Sequence, residues 1–377
     1  MKQLSMRILA RLGVAAALAT GPGFGVAAQA EGPALKRGHE YMVVANYPNN
    51  LHVLELAGDS LYKSCPLPRA FGPGTIQMAP DGHTAYILNN HYEDIYGVDL
   101  DSCELVFHAA MSQAPNERAK SMFSFAVSPD GDELYAVQNP TLIHRDHYRV
   151  QAPRLAVYDT AAGLDAKPVR TFEAPRQITV MQTGADGSLY LAGPDIYKMD
   201  VESGAVEVAV PSRNWQRPNY TPPDVLSVWP IQTATRDFTV LYTTARFRDE
   251  TQNPETADWL WGYMNVDLES GETETRDFGP ITEVYFTGTR SPKNPNLMYG
   301  VLNRLTKYDI EKQTLLQAAE LDHSYYCIAI NRDASKIYLA GTFNDIAIYD
   351  ADSLEKLGAV ELPGGDMAIS TAQIFVR

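Results

Sequence analysis

The sequence has little of what a chain needs to hold a cofactor of its own. It contains no Cys-x-x-Cys-His motif, which excludes a c-type haem attached to this chain. No Gly-x-Gly-x-x-Gly follows a β-rich run, and no phosphate loop or Gly-x-Ser-x-Gly nucleophile elbow occurs. We therefore expect no catalytic residue, cofactor site or metal site in this chain by itself.

Long apolar runs are missing as well, and one short run lies at the N-terminus. Lys2, Arg7 and Arg11 give that end a positive charge. A short apolar stretch follows at 12–19, and Ala28-Gln29-Ala30 forms a small-residue cleavage site. This order is typical of a secretory signal peptide, whereas a membrane span needs about 20 apolar residues.

The predicted signal peptide covers residues 1–30, with cleavage near Ala30, and residues 31–377 form one predicted domain. A membrane anchor is the alternative for the first segment. We expect a periplasmic protein without a membrane span, in a compartment where disulfide bonds can form.

Positive charge is scarce. The 377 residues include 31 Lys and Arg against 46 Asp and Glu, a formal net charge of −15. Removal of residues 1–30 takes away three cations and no carboxylate, which makes the charge −18 (−15 − 3). A surface of this sign repels phosphate groups, so we expect no nucleic-acid partner.

Cysteine is rare, with Cys65, Cys103 and Cys327 in the whole chain. The strand register predicted from the repeat described next brings no two of them clearly within the ~7 Å between Cα atoms that a disulfide allows. A Cys65–Cys103 disulfide and three free, buried thiols therefore both stay open.

The sequence does contain a repeat. Ser128–Tyr135 reads Ser-Pro-Asp-Gly-Asp-Glu-Leu-Tyr, and related segments occur at Ala79–Tyr86, Gly184–Tyr190 and Asn331–Tyr338. Proline presets φ and glycine accepts positive φ, so each segment predicts a tight turn between two strands.

A second signature fixes the period of the repeat. β-rich runs end in an acidic residue at seven positions, which are Glu55, Asp99, Asp159, Asp200, Asp267, Asp309 and Asp350. Four of the six spacings between them are 41–44 residues, and the spacings of 60 and 67 indicate insertions. A period of about 40–50 residues is typical of four-stranded blades. The sequence therefore predicts an all-β fold, a seven-bladed β-propeller of four-stranded antiparallel blades.

The two ends of the repeat complement each other. The first unit begins at Tyr41 with a run that matches a second strand, and residues 367–376 are β-rich beyond the last complete unit. We expect the C-terminal strand to pair into the first blade and close the ring, which removes an exposed sheet edge. The third unit illustrates the predicted blade, with strands at Phe123–Val127, Leu134–Val137, Arg154–Tyr158 and Val169–Phe172. Outside the strands, 111–121 could hold a turn or two of helix.

Both insertions fall in the same kind of connection. We number the strands of a blade a to d from the axis outward. The b–c loops and d–a connections then lie on one face, the loop face, and the a–b and c–d turns on the other, the turn face. Asn139–Pro153 and Arg246–Asp258 are both b–c loops. Long loops in compact domains are usually functional, so we expect function on the loop face and a plain turn face.

Aromatic, imidazole and guanidinium groups on exposed loops are enriched in protein interfaces. The alternative is that the rings pack between neighbouring blades. The candidate partner contacts of the loop face are Tyr47, His91, Tyr92, His144, His147, Trp215, Tyr220, Arg246, Tyr325 and Tyr326, and Phe71 lies in the same kind of connection.

Two weaker patterns involve possible metal ligands. His144 and His147 flank Asp146, but no third ligand is recognisable near them, which favours solvated loop histidines. A second set lies near the starts of the inner strands, where propeller lactonases bind a divalent cation. Its members are Glu283, Asp322, His323 and Asp366. A self-sufficient propeller hydrolase, ordinary polar solvation of the channel mouth and a generic surface-binding propeller all stay open.

The Asp-Gly-x-x-Leu-Tyr units resemble the YVTN-type propeller repeat shared with the methylamine dehydrogenase heavy chain. The opening segment, Gly38-His-Glu-Tyr-Met-Val-Val-Ala-Asn-Tyr-Pro-Asn-Asn50, resembles the β subunit of bacterial quinohemoprotein amine dehydrogenase. The resemblance covers residues 37–377. The repeat is unspecific, and the opening segment, the length and the positions of the long loops are the specific part.

The resemblance implies a periplasmic αβγ heterotrimer that oxidatively deaminates primary amines. It implies a γ subunit with cysteine tryptophylquinone, an α subunit with two c-type haems, and azurin or a cytochrome c as electron acceptor. The β propeller would dock γ and help to wall its active site. No catalytic motif on β carries over residue by residue.

Overall fold

The computed structural model describes residues 33–68, 72–226, 236–367 and 371–377. The predicted signal peptide and Phe71 lie outside these ranges. Within them the chain forms thirty β-strands and one short 3-10 helix at Thr160–Asp165. None of the helices in the described ranges is long and apolar enough to cross a membrane.

The strands follow one another in chain order. Those of the first half are β1 Glu40–Asn46, β2 Asn50–Glu55, β3 Ser60–Pro66, β4 Ile76–Met78, β5 Thr84–Asn89, β6 Asp94–Asp99, β7 Leu105–Ala110, β8 Glu117–Lys120, β9 Phe125–Val127, β10 Glu133–Ile143, β11 Tyr148–Val150, β12 Arg154–Asp159, β13 Arg170–Glu173, β14 Val180–Thr183 and β15 Leu189–Ala192. Those of the second half are β16 Ile196–Met199, β17 Val206–Val210, β18 Asp224–Leu226, β19 Asp237–Arg246, β20 Asp258–Asp267, β21 Thr273–Pro280, β22 Tyr285–Arg290, β23 Leu297–Leu302, β24 Arg304–Asp309, β25 Thr314–Glu320, β26 Cys327–Ile330, β27 Lys336–Ala340, β28 Asp345–Asp350, β29 Lys356–Glu361 and β30 Gln373–Val376.

The strands form seven antiparallel sheets, each with four strands in the order a-b-c-d. Blade 1 is β30-β1-β2-β3, blade 2 is β4 to β7 and blade 3 is β9-β10-β12-β13 with β8 and β11 added. Blades 4 to 7 are β14–β17, β18–β21, β22–β25 and β26–β29. The predicted seven-bladed β-propeller is therefore confirmed.

The C-terminal strand closes the ring as predicted. In blade 1, β30 pairs with β1, which places Phe375 opposite Tyr41, and both side chains are buried. The same segment also bonds to blade 2. Thr371 Oγ1 accepts from the backbone N–H of Ile76 at 2.8 Å, and Gln373 Oε1 accepts from that of Met78 at 3.0 Å. The last residues thus hold blades 1 and 2 together.

The recurring acidic residue has a local structural cause. In each c–d turn the residue four positions after it has positive φ: Asp59, Cys103, Gly163, Gly204, Gly271, Gln313 and Leu354. At the six aspartate positions the carboxylate accepts from backbone N–H groups inside the turn, whereas the Glu55 carboxylate lies 3.1 Å from His39 Nδ1. Asp350, for example, accepts from Asp352 at 2.9 Å and from Ser353 at 2.7 Å. These side chains stabilise a turn that the backbone alone would leave with unsatisfied donors.

The hydrophobic core lies within and between the blades. One buried cluster joins blades 2 and 3 and includes Phe107 and Tyr158, whose ring centroids are 6.4 Å apart. In blade 5 the Tyr242 ring lies over Gly262 on the neighbouring strand. A Cβ at Gly262 would come within 2.1 Å of the ring, so glycine is required there.

The structure corrects two local expectations. Residues 111–121 contain the strand β8 instead of a helical turn, because β8 pairs with the extended β10. The predicted register put no two cysteines clearly within reach, but of the two alternatives the structure confirms the disulfide. Cys65 and Cys103 form a disulfide with 5.2 Å between their Cα atoms. Cys327 is a free, buried thiol, and burial raises its pKa to about 11.

Candidate functional site

The loop face is extended at blade 3. Strand β10 continues to Ile143, beyond its pairing with β12, and its outer half pairs with β8 on one side and β11 on the other. Arg154 fixes the base of this extension, since it donates to Glu117 at 2.6 Å, to Gln138 at 2.8 Å and to the Met111 carbonyl at 3.0 Å. The first predicted insertion is therefore part of a three-stranded antiparallel extension of blade 3, formed by β8, β10 and β11. We call residues 139–151 the β10–β11 hairpin.

The second extension lies at blade 5. Strands β19 and β20 pair over ten residues each, up to Arg246 opposite Asp258. Asp258 accepts from Arg246 at 3.1 Å and from Arg248 at 2.7 Å. These hydrogen bonds lower the pKa of Asp258, with the bond from Arg248 as the largest cause. Arg246 also forms a backbone bridge with Tyr220, which ties the b–c loop of the blade to the d–a connection that precedes it.

Three residues of that d–a connection form a cluster with Tyr242 of β19 and Asp277 of β21. We call it the Arg217 cluster, and its members are Trp215, Arg217, Tyr220, Tyr242 and Asp277. The Arg217 guanidinium lies 3.8 Å from the Tyr220 ring centroid and 4.8 Å from that of Trp215. It also donates two bonds to Asp277, at 2.9 and 2.7 Å. Both tyrosine hydroxyls donate to the same carboxylate, Tyr242 at 2.6 Å and Tyr220 at 3.0 Å.

The electrostatics of the cluster favour the ion pair. Burial alone would raise the pKa of Asp277, but the hydrogen bonds from Arg217 and Tyr242 outweigh it, and the pKa lies below its usual value. Bidentate arginine–carboxylate bonds fix geometry as well as charge. Beside the cluster is a cavity of about 280 Å³, lined by residues of one loop between Trp215 and Pro222. The contacts of Arg217 and Tyr220 with Asp277 tie this loop to strand β21.

The histidines of the first extension form a stacked pair. His144 and His147 lie across the end of the hairpin with ring centroids 4.5 Å apart, and His147 Nδ1 is 2.8 Å from the Asp146 carboxylate. Within the described ranges, no group of three or more His, Cys, Asp or Glu side chains is placed to hold a metal ion.

The four candidate residues that the sequence predicted near the axial opening each have a separate partner. Glu283 accepts from Arg304 at 2.5 Å, and Asp322 pairs with Lys356 on the outer strand of blade 7. His323 Nε2 is 2.9 Å from Asp345. Asp366 accepts from the backbone N–H of Phe343 at 3.0 Å. The contacts of these residues do not converge on one point.

The remaining candidates divide by burial. Tyr325 is fully buried, and its hydroxyl donates to Asp345 at 2.6 Å, while its ring lies 4.1 Å from that of His323. Trp215 is buried in the core of blade 5. Three candidates are exposed, namely Tyr47, His91 and His147. Five others are partly exposed, namely Tyr92, His144, Tyr220, Arg246 and Tyr326. The packing alternative therefore describes Tyr325 and Trp215, and the exposed candidates stay predictions.

The turn face is less plain than expected. A cavity of about 510 Å³ between blades 3 and 4 is lined by the carboxylates of Asp130, Asp132, Glu133, Asp186, Asp200 and Glu202. Arg170 bridges two of them, Glu133 at 2.8 Å and Glu202 at 3.2 Å. A second cavity, of about 470 Å³, includes Gln77, Gln182 and Gln373 of the inner strands. The tight turns thus surround two polar depressions.

Sequence reasoning missed the centre of the Arg217 cluster. Asp277 lies in the outer strand β21 and Tyr242 in β19, and neither belongs to a loop. The available signal was an arginine between aromatic residues in a proline-rich connection, which predicts a stacked cation in need of a carboxylate. It does not say which carboxylate, because Asp277 is 60 residues away.

Comparison with known proteins identifies the fold. No model of a protein family matches the sequence and no curated protein does. Among solved structures, the chain is similar to dihydro-heme d1 dehydrogenase NirN in complex with DHE, with a TM-score of 0.50 and 13% identity over 90% of this chain and 78% of that one. It is also similar to apo AztD from Citrobacter koseri, with a TM-score of 0.50 and 10% identity over 89% of this chain and 98% of that one. At such identities the likeness shows the propeller fold alone.

Proposed function

We propose that this chain is the non-catalytic β subunit of a periplasmic, heterotrimeric quinohemoprotein amine dehydrogenase. Its loop face docks the quinone-bearing γ subunit and helps to wall the active site in which primary amines are deaminated. The observation that carries the proposal is the placement of both strand extensions on the loop face of an otherwise regular propeller. The resemblance of residues 38–50 supplies the identity of the complex.

The Arg217 cluster supports a docking role. A loop that is already ordered loses little conformational entropy when a partner binds, and this saving favours association. The bidentate pair between Arg217 and Asp277 and the two tyrosine bonds hold the d–a connection of blade 5 beside the second extension. The loop face therefore offers a rigid aromatic and proline-rich surface between Trp215 and Pro222.

The hydrogen bonds of His323 and Thr342 support a non-catalytic role. The His323 imidazole faces an acceptor with each nitrogen, Asp345 at 2.9 Å and the Ser324 carbonyl at 2.9 Å. Thr342 also donates its hydroxyl to the Ser324 carbonyl, at 2.5 Å, and its Oγ1 lies 3.4 Å from His323 Nδ1. This arrangement suits a structural contact better than a nucleophile activated by a base.

In this proposal the redox groups belong to the partners. The γ subunit would carry cysteine tryptophylquinone, the α subunit two c-type haems, and azurin or a cytochrome c would accept the electrons. A quinone site needs water kept out, and an ordered propeller face can act as one wall of such a site.

The test is purification of the native protein from the periplasm of its host. The proposal predicts that the chain elutes with a haem-bearing protein, seen by its Soret absorbance, and with a small chain that stains for quinone. Elution as a lone monomer would contradict it. Metal-dependent lactone hydrolysis by the isolated chain would favour the hydrolase alternative, and a surface-binding propeller predicts neither result.

A further inference from the structure

The β10–β11 hairpin exposes apolar side chains on the loop face. Ile143 is 39% exposed, Tyr148 74% and Val150 67%. The register places Ile143 opposite Tyr148, and alternate residues of a strand share a face, so all three side chains lie on one face of the hairpin. They form a small apolar ridge that the described part of the chain leaves exposed.

The hairpin is also positively charged on a negatively charged molecule. By the same register, Arg149 lies opposite Leu142 on the other face, and Arg145 lies in the turn at the tip. Residues 139–151 contain two arginines and one aspartate, a formal charge of +1 (2 − 1), whereas the whole chain has −15. Cations thus lie at the tip of the hairpin and on the face opposite the apolar ridge.

Strand β11 is an edge strand, the first in the order β11-β10-β12-β13. Edge strands with exposed aromatic and β-branched side chains tend to pair with other chains, and natural proteins usually cover or blunt them. Tyr148 and Val150 are exposed on this edge. An apolar surface of this kind, rimmed by polar groups, is typical of a protein interaction site.

We propose that the β10–β11 hairpin is the docking element of the loop face, and that it binds a protein surface with an apolar centre and an acidic rim. This inference rests on the proposed function, in which the partner is the haem- and quinone-bearing remainder of the complex. Tyr148 and Val150 enter the apolar centre and supply affinity. Arg145 and Arg149 pair with the rim, which orients the partner and speeds its association.

The test uses the full-length chain, tagged and produced in its native host, and measures haem absorbance per tagged chain after capture. Tyr148→Ser/Val150→Ser should lower the haem captured at least tenfold, because aromatic anchors dominate interfaces. Arg145→Glu/Arg149→Glu should lower it similarly, and rising salt should weaken capture by the wild type. The matched control is Val206→Ser/Val208→Ser on the outer strand β17, where the two valines are 41% and 51% exposed. It should capture as much haem as the wild type.

The outcomes separate the inference from the proposed function. Haem capture by Tyr148→Ser/Val150→Ser at the wild-type level overturns the inference and leaves the proposed function standing. Wild-type chain without haem contradicts the proposed function. Hairpin-dependent binding of the isolated chain to phosphatidylglycerol vesicles, or a hairpin-dependent dimer, would assign the surface to a membrane or a second copy and overturn the protein partner. An unchanged melting temperature (Tm) of each variant shows that the fold is intact.

Discussion

Removal of the Asp277 carboxylate tests the Arg217 cluster. The Asp277 side chain is 6% exposed and that of Arg217 28%. Asp277→Ala leaves the guanidinium and two tyrosine hydroxyls without their acceptor. Loss of one partner of a buried ion pair costs about 3–5 kcal/mol, and partial exposure of Arg217 favours the lower end, about 3 kcal/mol. An unfolding entropy of about 2.1 cal/mol/K per residue makes this a fall in Tm of about 4 °C for roughly 350 residues.

The assay is differential scanning calorimetry at pH 7, with Asp165→Ala as control. Asp165 also forms an ion pair, with Lys167, but it is 89% exposed, and its removal should change Tm by less than about 1 °C. Equal effects of the two variants would refute the role of the cluster.

The pH dependence gives a second check on Asp277. Because its pKa is lowered in the fold, the carboxylate stabilises the protein above its unfolded pKa near 4, and this contribution disappears as pH falls through the lower folded value. The wild type and Asp277→Asn should therefore differ in Tm at pH 7, and this difference should change as pH falls from about 4 through the folded pKa. A difference that persists unchanged at low pH would show that the charge is not the cause.

Three further results are expected. Gly262→Ala should lower Tm by several degrees, because its Cβ would overlap the Tyr242 ring. The control is Gly358→Ala, whose Cβ would meet nothing within 4 Å and which should change Tm little. Calorimetry compares the two variants, and equal effects would contradict the packing described. Burial lowers the pKa of His52 to about 4. The free energy of unfolding should therefore fall by roughly 1.4 kcal/mol per pH unit as pH drops from about 6.5 to 4. Urea unfolding of His52→Asn should lack this pH dependence. Cys103→Ser removes the disulfide, which joins residues 38 positions apart in the chain. The free energy of unfolding in the same urea assay should fall by up to about 4 kcal/mol, and an unchanged value would refute a stabilising disulfide.

The propeller could be predicted because each blade repeats similar turn residues at similar positions in its sequence. Proline, aspartate and glycine set the a–b turns, and the acidic residue at the end of strand c sets the c–d turn. The structure explains why that residue recurs, since its carboxylate bonds the turn amides before a position of positive φ. The incomplete first unit and the extra last strand predicted the closure seen between β30 and β1.

The disulfide could not be derived from register, because it joins different parts of two blades. Cys65 lies on the outer strand of blade 1, and Cys103 lies in the c–d turn of blade 2. Sheet twist tilts the outer strands away from the direction of the inner ones, so β3 approaches the neighbouring turn. Lys63 on β3 bonds the Leu100 and Asp101 carbonyls of that turn, at 3.2 and 2.7 Å, which shows the same approach.

The position of the candidate site on the loop face could be predicted from the sequence, but the strands and side-chain contacts that form it could not. The spacing of the repeat located both extensions, because an insertion of any kind interrupts the period. Spacing cannot show that β10 would continue as a strand, or that residues 117–120 would return to pair with it. Contacts such as Arg217 with Asp277 depend on how a connection folds across its blade, and local patterns do not encode that path.

The proposed complex can be tested by the visible spectrum of the natively purified assembly before and after addition of a primary amine. We predict haem absorbance that co-elutes with this chain and shifts to the reduced form when amine is added. We also predict that the isolated chain shows neither haem nor amine-dependent change. A chain that elutes alone from its host without haem, or an assembly whose haems do not respond to any primary amine, would contradict it.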